Sequence, residues 1–316
     1  MKTRPSILLV TPTYQQASTI RETIESVLRQ DYADLDYWVF DAGSRDGTVE
    51  ILRSYENDPR FHWVSEPDKG QSDAINKGLA RCTGEIFNWL NSDDYLEPGA
   101  LGRVAEAFRK NPGLDIVSGW TAEFRGNPPE VFNRIQLQVR ATAEQSIPVG
   151  VYCQPSTFWR TEIVRALGGI DPALHYVLDW NLWVRYLARY GQAQVLRLDD
   201  LLAHYRHHAD AKTSVGSTGF YDEAKTVFHN LHLSLHAPEP FLLPEVETNP
   251  AWRRKDFQLG PSFDRERYLG SYAERMVRTH RKKNPALAKV WLGRAWAYKP
   301  WITLWRIKMA LRLLLK

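Results

Sequence analysis

The chain has 316 residues and a formal net charge of +4, but this charge is divided unevenly along the sequence. Residues 251–316 hold 17 basic and 4 acidic residues, a balance of +13, whereas residues 1–250 hold 24 basic and 33 acidic residues, a balance of −9. A basic C-terminal segment on an acidic body indicates an anionic partner surface, either a membrane or a nucleic acid. With 43% hydrophobic and 12% aromatic residues the chain can bury a large core, which excludes a disordered protein.

Cysteine content and hydropathy indicate the cellular compartment of the protein. Cys82 and Cys153 are too few for a disulfide scaffold or a structural zinc site, and they favour a reducing, cytoplasmic compartment. The apolar run at 7–10 is too short for a signal peptide and is soon followed by Pro12. No stretch of about 18 uncharged apolar residues occurs, so no membrane-spanning helix is expected.

Short apolar runs alternate with amphipathic segments over residues 1–120. Ser6–Thr11 is predicted as a buried strand, and Thr19 with Glu22 forms a capping-box pattern that opens the first helix. Pro98 is placed at the first turn of the fourth helix. The other strands and helices are predicted at 37–41, 48–55, 61–65, 73–80, 86–90 and 115–119. This alternation predicts an α/β fold with a mainly parallel sheet flanked by helices.

The second half of the chain has fewer regular patterns. Residues 121–150 are predicted as irregular, 151–160 as a strand and 179–190 as a helix. A helix at 161–167 is predicted to end at the pair Gly168–Gly169, which is typical of a helix C-terminus.

Polar turns follow the first four predicted strands, where ligands of such sheets bind. Asp93 and Asp94 are adjacent carboxylates in one of these turns, and a hard cation such as Mg²⁺ or Mn²⁺ would relieve their repulsion and bind phosphate oxygens. Asp41 can accept hydrogen bonds from a base or a ribose, and the turn 43–47 can hold an anion at a helix start. For each of these turns the alternative is an ordinary solvated or Asx turn.

Two later segments carry further candidates. Asp179 stands in the first turn of an aromatic, apolar helix, where it is either a general base or a helix cap. The segment 204–208 (HYRHH) offers Arg206 and His208 to a phosphate or a metal, although neighbouring side chains of a strand point to opposite faces. No dinucleotide-binding Gly motif, P-loop or Gly-x-Ser-x-Gly elbow is present, which argues against those enzyme classes.

The ordered set of motifs resembles the family 2 glycosyltransferases, which are inverting enzymes with the GT-A fold. The motifs are Thr11-Pro-Thr-Tyr, Asp41-Ala-Gly-Ser-Arg-Asp-Gly-Thr, Ser65-Glu-Pro-Asp-Lys-Gly, Asn76-Lys-Gly, Asn91-Ser-Asp-Asp, Gln154-Pro-Ser-Thr-Phe-Trp, Gly168-Gly-Ile-Asp, Asp179-Trp-Asn-Leu-Trp-Val-Arg and Tyr205-Arg-His-His. The resemblance covers residues 6–215, and it implies a GT-A-like Rossmann-type mixed sheet with a C-terminal helical extension.

The resemblance also implies roles for individual residues and segments. It divides residues 1–235 into a nucleotide-sugar-binding half at 1–120 and an acceptor-binding and catalytic half at 121–235. The prolines and basic residues of 236–316 predict a proline-rich linker with a basic helical tail. It implies that Asp179 deprotonates the acceptor hydroxyl and that a divalent metal (Mn²⁺ or Mg²⁺) is bound by Asp94 and His208. The residues implied to contact the nucleotide sugar are Thr11, Pro12, Tyr14, Asp41, Asp73, Asn76, Asp93 and Arg206.

The sequence departs from the family pattern at three positions. The family often has an acid where Asn91 stands, Glu-Asp where Leu178 and Asp179 stand, and another acid where Asn181 stands. The metal and base assignments each therefore depend on a single carboxylate.

The C-terminal tail has 11 basic residues and no acidic residue from Met276 onward, together with four tryptophans, Trp291, Trp296, Trp301 and Trp305. Lys308, Arg312 and Lys316 form one stripe of a helix. These features are typical of a helix on anionic lipid, which predicts a cytoplasmic enzyme held peripherally on the inner face of the membrane. The alternative is a helix packed on the protein or in a homodimer. A nucleic acid partner is not expected, because no binding module accompanies the charge.

Three functions can be compared with these sequence features. The first is a metal-dependent inverting glycosyltransferase that moves a sugar from a nucleoside-diphosphate sugar to a glycan or lipid-linked acceptor. A sugar-nucleotide pyrophosphorylase would need a Gly-rich cationic loop after the first strand, and residues 12–17 lack glycine and cation. A non-catalytic nucleotide-sugar or membrane-binding module is disfavoured by the presence of Asp94 and Asp179.

Overall fold

The computed structural model describes residues 4–81, 83–209, 211–212, 217–247, 252–298, 308–310 and 312–313. These residues group into two compact units. The first unit comprises Met1–Leu137, Tyr152–Trp183 and Gln194–Lys225, and the second comprises Gln138–Val151, Val184–Ala193 and Thr226–Lys316. The predicted tail residues Trp301, Trp305 and Lys316 lie outside the described residues, as does Cys82.

The first unit is built on one mixed, mainly parallel sheet. Its strands are β1 (Ile7–Thr13), β2 (Leu35–Asp41), β3 (Phe61–Ser65), β4 (Ile86–Trp89), β5 (Tyr95–Leu96), β6 (Ile116–Arg125), β7 (Glu130–Gln136), β8 (Thr157–Arg160) and β9 (Val195–Arg206). The order is β3-β2-β1-β4-β8-β6-β9-β5, with β7 paired to β6. Strands β1 to β4 are parallel, as is β6 with β9, whereas β5, β7 and β8 run antiparallel to their neighbours. The predicted α/β class is confirmed.

Helices lie on both faces of this sheet. They are α1 (Ile20–Leu28), α2 (Thr48–Arg53), α3 (Gln71–Arg81), α4 (Ala100–Lys110), α6 (Thr161–Ala166), the start of α7 (Leu178–Tyr190) and the start of α8 (Ser217–Ser234). Successive side chains of β1 point to opposite faces. Leu9 packs in the core formed with α1 and α4, while Val10 meets Gly78 of α3. The central strands are therefore apolar on both sides, which explains their near-continuous hydrophobic runs.

The second unit is helical. Besides the ends of α7 and α8 it contains α5 (Ala143–Ser146), a 3₁₀ turn (Glu239–Phe241), α9 (Pro244–Glu247), α10 (Arg265–His280) and α11 (Pro285–Tyr298). Its aromatic core surrounds His232, which donates from Nδ1 to the Phe241 carbonyl (2.8 Å) and accepts at Nε2 from the Tyr268 hydroxyl (3.0 Å). Burial lowers the pKa of His232 to about 3, so this imidazole is neutral.

Several predicted details differ from the structure. Thr19 does precede α1, but its hydroxyl donates to Gln16 Oε1 (2.9 Å), so no capping box forms, and Glu22 pairs with Arg206 instead. Gly99, not Pro98, occupies the N-cap of α4, so the proline lies outside the helix. Gly168 and Gly169 end α6 with positive φ, as predicted.

The second half of the sheet also differs from the prediction. Residues 116–136 form a hairpin of β6 and β7 where residues 121–150 were predicted to be irregular. Only the last four residues of the strand predicted at 151–160 are extended in the sheet. Pro155 has no N–H for a ladder, and side-chain bonds replace the ladder: Asn88 Nδ2 donates to the Pro155 carbonyl (3.1 Å).

The close approach of α3 to β1 yields a stability test. A Cβ on Gly78 would lie 2.4 Å from Val10 Cγ2, so Gly78→Ala should lower the free energy of unfolding by about 1–3 kcal/mol through overpacking. Gly102 of α4 is the matched control, because a Cβ there meets nothing within 4 Å and alanine is the better helix former by about 1 kcal/mol. Urea unfolding measures both variants, and equal stabilisation by the two would contradict the packing described.

Candidate functional site

The turns after β1 and β2 are tied together at the carboxyl edge of the sheet. The Gln15 N–H donates to Ser44 Oγ (2.7 Å), and the Gln16 N–H donates to Thr48 Oγ1 (3.0 Å). Asp46 Oδ2 accepts from the Ala17 N–H (3.0 Å). Strands β1 and β2 are parallel and end side by side. These hydrogen bonds therefore hold the two turns together at the edge of the sheet where the nucleotide is predicted to bind.

Asp41 is buried at the end of β2, and its carboxylate accepts hydrogen bonds from its own turn and from Ser65 of β3. Oδ2 accepts from the N–H groups of Gly43 (3.1 Å) and Ser44 (2.9 Å) and from Ser65 Oγ (2.6 Å), and Oδ1 accepts from Ser44 Oγ. Four donors match the usual capacity of a carboxylate. In this state Asp41 forms the Asx-type turn that was the alternative interpretation, and its contact with a base stays a prediction.

The motif Thr11-Pro-Thr-Tyr is divided between the core and the surface. Thr11 is fully buried, and its hydroxyl forms a hydrogen bond with the Tyr37 hydroxyl (3.0 Å). The side chain therefore lies in the core and not at the edge of the sheet, where it was predicted. Pro12 is buried too, whereas Tyr14 is 57% exposed. Thr13 was not among the predicted site residues, and its buried hydroxyl lacks a hydrogen-bond partner among the described residues. An orphaned buried hydroxyl at a strand end is a better candidate for ligand contact than Thr11.

Helix α3 carries Asp73 and Asn76, but in different environments. Asp73 accepts from the Lys69 N–H (3.2 Å) and lies 3.4 Å from Lys77 Nζ. Asn76 Nδ2 donates to the Ile170 carbonyl and its Oδ1 accepts from the Ile170 N–H, both at 2.9 Å. Both the N–H₂ and the oxygen of this amide are hydrogen-bonded, so Asn76 holds the segment after α6. This role differs from the predicted contact of Asn76 with the nucleotide.

The predicted site residues Asp93, Asp94, Arg206 and His208 lie together in the structure. Asp94 Oδ1 accepts from the Arg206 N–H (3.0 Å), and His208 Nε2 lies 2.9 Å from Asp93 Oδ2. The Arg206 guanidinium donates from Nε to the Asp93 carbonyl (3.0 Å), pairs with Glu22 and covers the Phe124 ring at 4.6 Å. Arg206 therefore fixes the turn after β4 to the end of β9.

Burial raises the pKa of Asp94 well above its usual range, and the neighbouring Asp93 raises it further. A divalent cation would neutralise both effects, and carboxylate oxygens suit Mn²⁺ or Mg²⁺. No group of three or more His, Cys, Asp or Glu residues that could hold a metal occurs in the part of the chain that the structure describes. In the described structure His208 Nε2 contacts Asp93, and the Asp94 oxygens accept from the Arg206 N–H and Asn91 Nδ2, so a cation held by Asp94 and His208 stays a prediction.

Asp179 lies in the first turn of α7, and its Oδ1 accepts from the Trp180 N–H (2.7 Å). Burial raises the pKa of this carboxyl to about 6, while the positive charge of Lys212 acts in the opposite direction. A carboxylate with this pKa is ionised at neutral pH and accepts a proton more readily than an ordinary aspartate. The geometry therefore retains Asp179 as a candidate general base.

Lys212 is a candidate that the sequence analysis missed. Its Nζ donates to Gln71 Oε1 (2.6 Å) and to the His175 carbonyl (3.2 Å). Desolvation of its ammonium group is the largest effect and lowers the pKa of Lys212. The negative charges of Glu223, Asp179 and Asp93 act in the opposite direction and raise this pKa. Lys212 therefore connects the region of Asp179 with that of Asp93. Only its place four residues after His208 could have drawn attention to it.

The pKa of Asp94 yields a stability prediction. A carboxyl with a raised pKa binds its proton more tightly in the folded chain, so stability is lost as the pH rises from the ordinary aspartate pKa towards the raised value. At pH 7 without metal, Asp94→Asn should therefore raise the unfolding midpoint, and the gain should vanish at pH 3 to 4. Differential scanning calorimetry at the two pH values measures it. A lower midpoint for Asp94→Asn at pH 7 would show that the charge is compensated within the fold.

Comparison with known proteins adds family evidence to this geometry. Residues 8–168, about half of the chain, match the sequence model described as glycosyl transferase family 2. The chain is 36% identical over 118 residues to the chondroitin synthase of Escherichia coli, covering 37% of this chain and 17% of that protein. It is 25% identical over 240 residues to an uncharacterized glycosyltransferase of Nostoc sp., covering 70% of each. The chain thus spans under a fifth of the length of the first of these relatives.

Two solved structures resemble the fold. The first is TarS 1-349 of S. aureus in complex with UDP-GlcNAc, with a TM-score of 0.61, 16% identity, and coverage of 93% of this chain and 80% of that one. The second is the mannosyltransferase PcManGT of Pyrobaculum calidifontis in complex with GDP-Man and Mn²⁺, with a TM-score of 0.50, 21% identity, and coverage of 99% and 88%. At these identities the likeness concerns the fold alone, and it agrees with the GT-A-like architecture predicted from the sequence.

Proposed function

Since the chain belongs to glycosyl transferase family 2, we propose that it moves a sugar, with inversion, from a nucleoside-diphosphate sugar to a hydroxyl of a glycan or lipid-linked acceptor. The observation that carries the proposal is the position of Asp179 in the same unit as the Asp93–Asp94 turn, with Lys212 under the influence of both regions. The UDP-GlcNAc and GDP-Man bound by the two similar structures support a nucleoside-diphosphate sugar as donor.

The donor would lie at the carboxyl edge of the sheet, on the turns that follow β1 and β2. Tyr14 supplies an exposed ring and Asp73 a carboxylate, while Asp41 would exchange one of its four present donors for the base; Pro12 and Thr13 are the last residues of β1. Asp93 would approach the ribose, and Arg206 holds Asp93 in place through its carbonyl. This arrangement orients the donor before the reaction and removes much of the entropic barrier.

Asp94 and His208 would hold the divalent cation against the diphosphate. When bound, the cation supplies Lewis-acid stabilisation of the charge that develops on the leaving diphosphate. The protein contributes a carboxylate already removed from water and a second acid, Asp93, beside it. A Mn²⁺ ion in the structure of PcManGT with GDP-Man supports this assignment.

Inversion requires a single in-line displacement, which needs one base and an activated leaving group. Asp179 takes the proton of the acceptor hydroxyl while that oxygen attacks the anomeric carbon and the bond to the diphosphate breaks. Its pKa of about 6 leaves the carboxylate ready to accept this proton at neutral pH. No second carboxylate beside the sugar is required, in contrast to a glycosidase.

We also propose that the basic C-terminal segment holds the enzyme peripherally on the inner face of the membrane, near a lipid-linked acceptor. Trp296 is 50% exposed on α11, where a headgroup layer could receive it. Trp291 differs from the prediction: it is buried in the second unit, edge-on to Phe241 (5.5 Å) and Tyr272 (5.9 Å), so α11 packs on the protein through that side chain. No helix of the described residues is long and apolar enough to cross a bilayer.

Asp179→Asn tests the proposed base. The variant keeps the shape of the side chain but cannot take a proton, so kcat should fall by about 10²- to 10⁴-fold while donor affinity stays the same. Asp222→Asn, which removes an exposed carboxylate from the same unit, should leave kcat unchanged. Transfer to a glycan acceptor and donor binding by calorimetry are measured for both. Full transfer activity in Asp179→Asn with unchanged donor affinity would exclude Asp179 as the base.

A further inference from the structure

The segment that leads into the helix of Asp179 is held by side chains that the proposed reaction does not use. From α3, the Ser72 hydroxyl donates to the Leu174 carbonyl (3.2 Å), and Asn76 binds both backbone groups of Ile170. These contacts fix the first part of the segment. The residues directly before α7 are held by a different helix, α8, through Glu223.

Glu223 accepts three consecutive backbone N–H groups. Its Oε1 accepts from His175 (2.9 Å), and its Oε2 accepts from Tyr176 (2.7 Å) and Val177 (3.0 Å). These groups immediately precede Leu178, the first residue of α7, and Val177 stands at the N-cap, where a helix start leaves N–H groups without an intrahelical partner. Charge-assisted bonds from three adjacent donors to one carboxylate leave the backbone little freedom to shift.

The packing of α8 sets the reach of Glu223. A Cβ on Gly219 would lie 2.3 Å from Cε2 of Tyr176, so only a glycine at this position lets the helix lie so close. One residue later, the Phe220 ring meets the Tyr176 ring edge-on at a centroid distance of 5.1 Å. Gly219, Phe220 and Glu223 follow the spacing of one helix face, and all three contact the same short segment.

Lys212 connects that segment to the buried carboxylate of Asp94. Besides the His175 carbonyl it contacts Gln71 Oε1, and Gln71 Nε2 donates to Asn91 Oδ1 (2.7 Å). Asn91 Nδ2 in turn donates to Asp94 Oδ2 (3.3 Å). A continuous set of hydrogen bonds therefore runs from the proposed diphosphate site to the backbone that precedes the proposed base.

We propose that Glu223 is a positioning residue for Asp179: by holding the N–H groups of residues 175–177 it keeps the carboxylate of Asp179 in line with the acceptor hydroxyl. This inference rests on the proposed function of Asp179 as general base. Glu223 touches neither substrate nor reacting atoms, so its effect is transmitted through the backbone at the start of α7. Misplacement of a reacting group by about 1 Å costs on the order of 10²-fold in rate.

The charge and the position of the base can be tested separately. The titratable groups whose charges couple to Asp179 are Lys212, Tyr152 and Cys153; the last two have pKa values raised mainly by burial and are protonated at neutral pH. Lys212 is the cation that lowers the pKa of Asp179. Lys212→Met should therefore move the acid limb of the kcat profile to higher pH, whereas Glu223→Gln should lower kcat with the limb in place.

The decisive experiment compares Glu223→Gln with Asp222→Asn, the neighbouring acid on α8, in the 316-residue chain with a nucleoside-diphosphate-sugar donor, Mn²⁺ and a glycan acceptor. The amide of glutamine places an N–H₂ against backbone donors, so at least one of the three bonds is lost. We expect kcat to fall by about 10- to 100-fold in Glu223→Gln, with the donor KM within about twofold of wild type. Glu223→Asp, which keeps the charge on a shorter side chain, should recover part of kcat.

The outcomes separate the two claims. A kcat of Glu223→Gln equal to that of Asp222→Asn, or a change confined to KM, would overturn the positioning role while the proposed function stands. Full activity of Asp179→Asn would overturn both. If Glu223→Gln does not fold, Gly219→Ala decides, because it displaces α8 from Tyr176 with Glu223 intact: the same loss of kcat supports the inference, and wild-type kcat contradicts it.

Discussion

The carboxylate of Asp94 has no exposure to solvent, and several elements of the first unit are arranged around it. Its oxygens accept from Asn91 in the same turn and from the Arg206 N–H at the end of β9. The Arg206 guanidinium is held in turn by Glu22 of α1 and by the Asp93 carbonyl. A buried charge is costly unless it is hydrogen-bonded or neutralised, and these contacts offset part of that cost.

Asp94 is also connected by hydrogen bonds to the segment that precedes Asp179, the proposed base. Hydrogen bonds through Asn91, Gln71 and Lys212 extend from Asp94 to the His175 carbonyl, four residues before Asp179. Helix α3 contributes Gln71 to this set and also holds the segment after α6 through Asn76. These bonds join the proposed cation and diphosphate site to the backbone that precedes the proposed base.

The fold was largely predictable from the sequence, because the first four parallel strands are short apolar runs separated by amphipathic helices. Predictions failed where distant residues compete for the same group. The capping box at Thr19 does not form because Glu22 pairs with Arg206, a residue 184 positions away. The hairpin of β6 and β7 was missed because the exposed residues of β7 show no alternation of apolar and polar side chains.

The candidate site was predictable only in part. The motif Asn91-Ser-Asp-Asp and the segment at 204–208 identified Asp94, Arg206 and His208, and the structure brings them together. Local pattern does not reveal burial, so Thr11 was placed on the rim although its hydroxyl is bonded in the core. Family membership selects the glycosyltransferase among the three functions that the sequence left open, and the pyrophosphorylase and non-catalytic interpretations are no longer needed.

The central claim is that a divalent cation and a nucleoside diphosphate bind next to each other, at Asp94 and on the rim above β1 and β2. Calorimetric titration of UDP, GDP and dTDP into the protein, each with and without Mn²⁺, tests it most directly. Two ligands that share contacts raise each other's affinity by the same factor. The account predicts that Mn²⁺ tightens at least one nucleotide by about fivefold or more, and that this nucleotide tightens Mn²⁺ equally. Unchanged affinity of all three nucleotides with and without Mn²⁺ would contradict it.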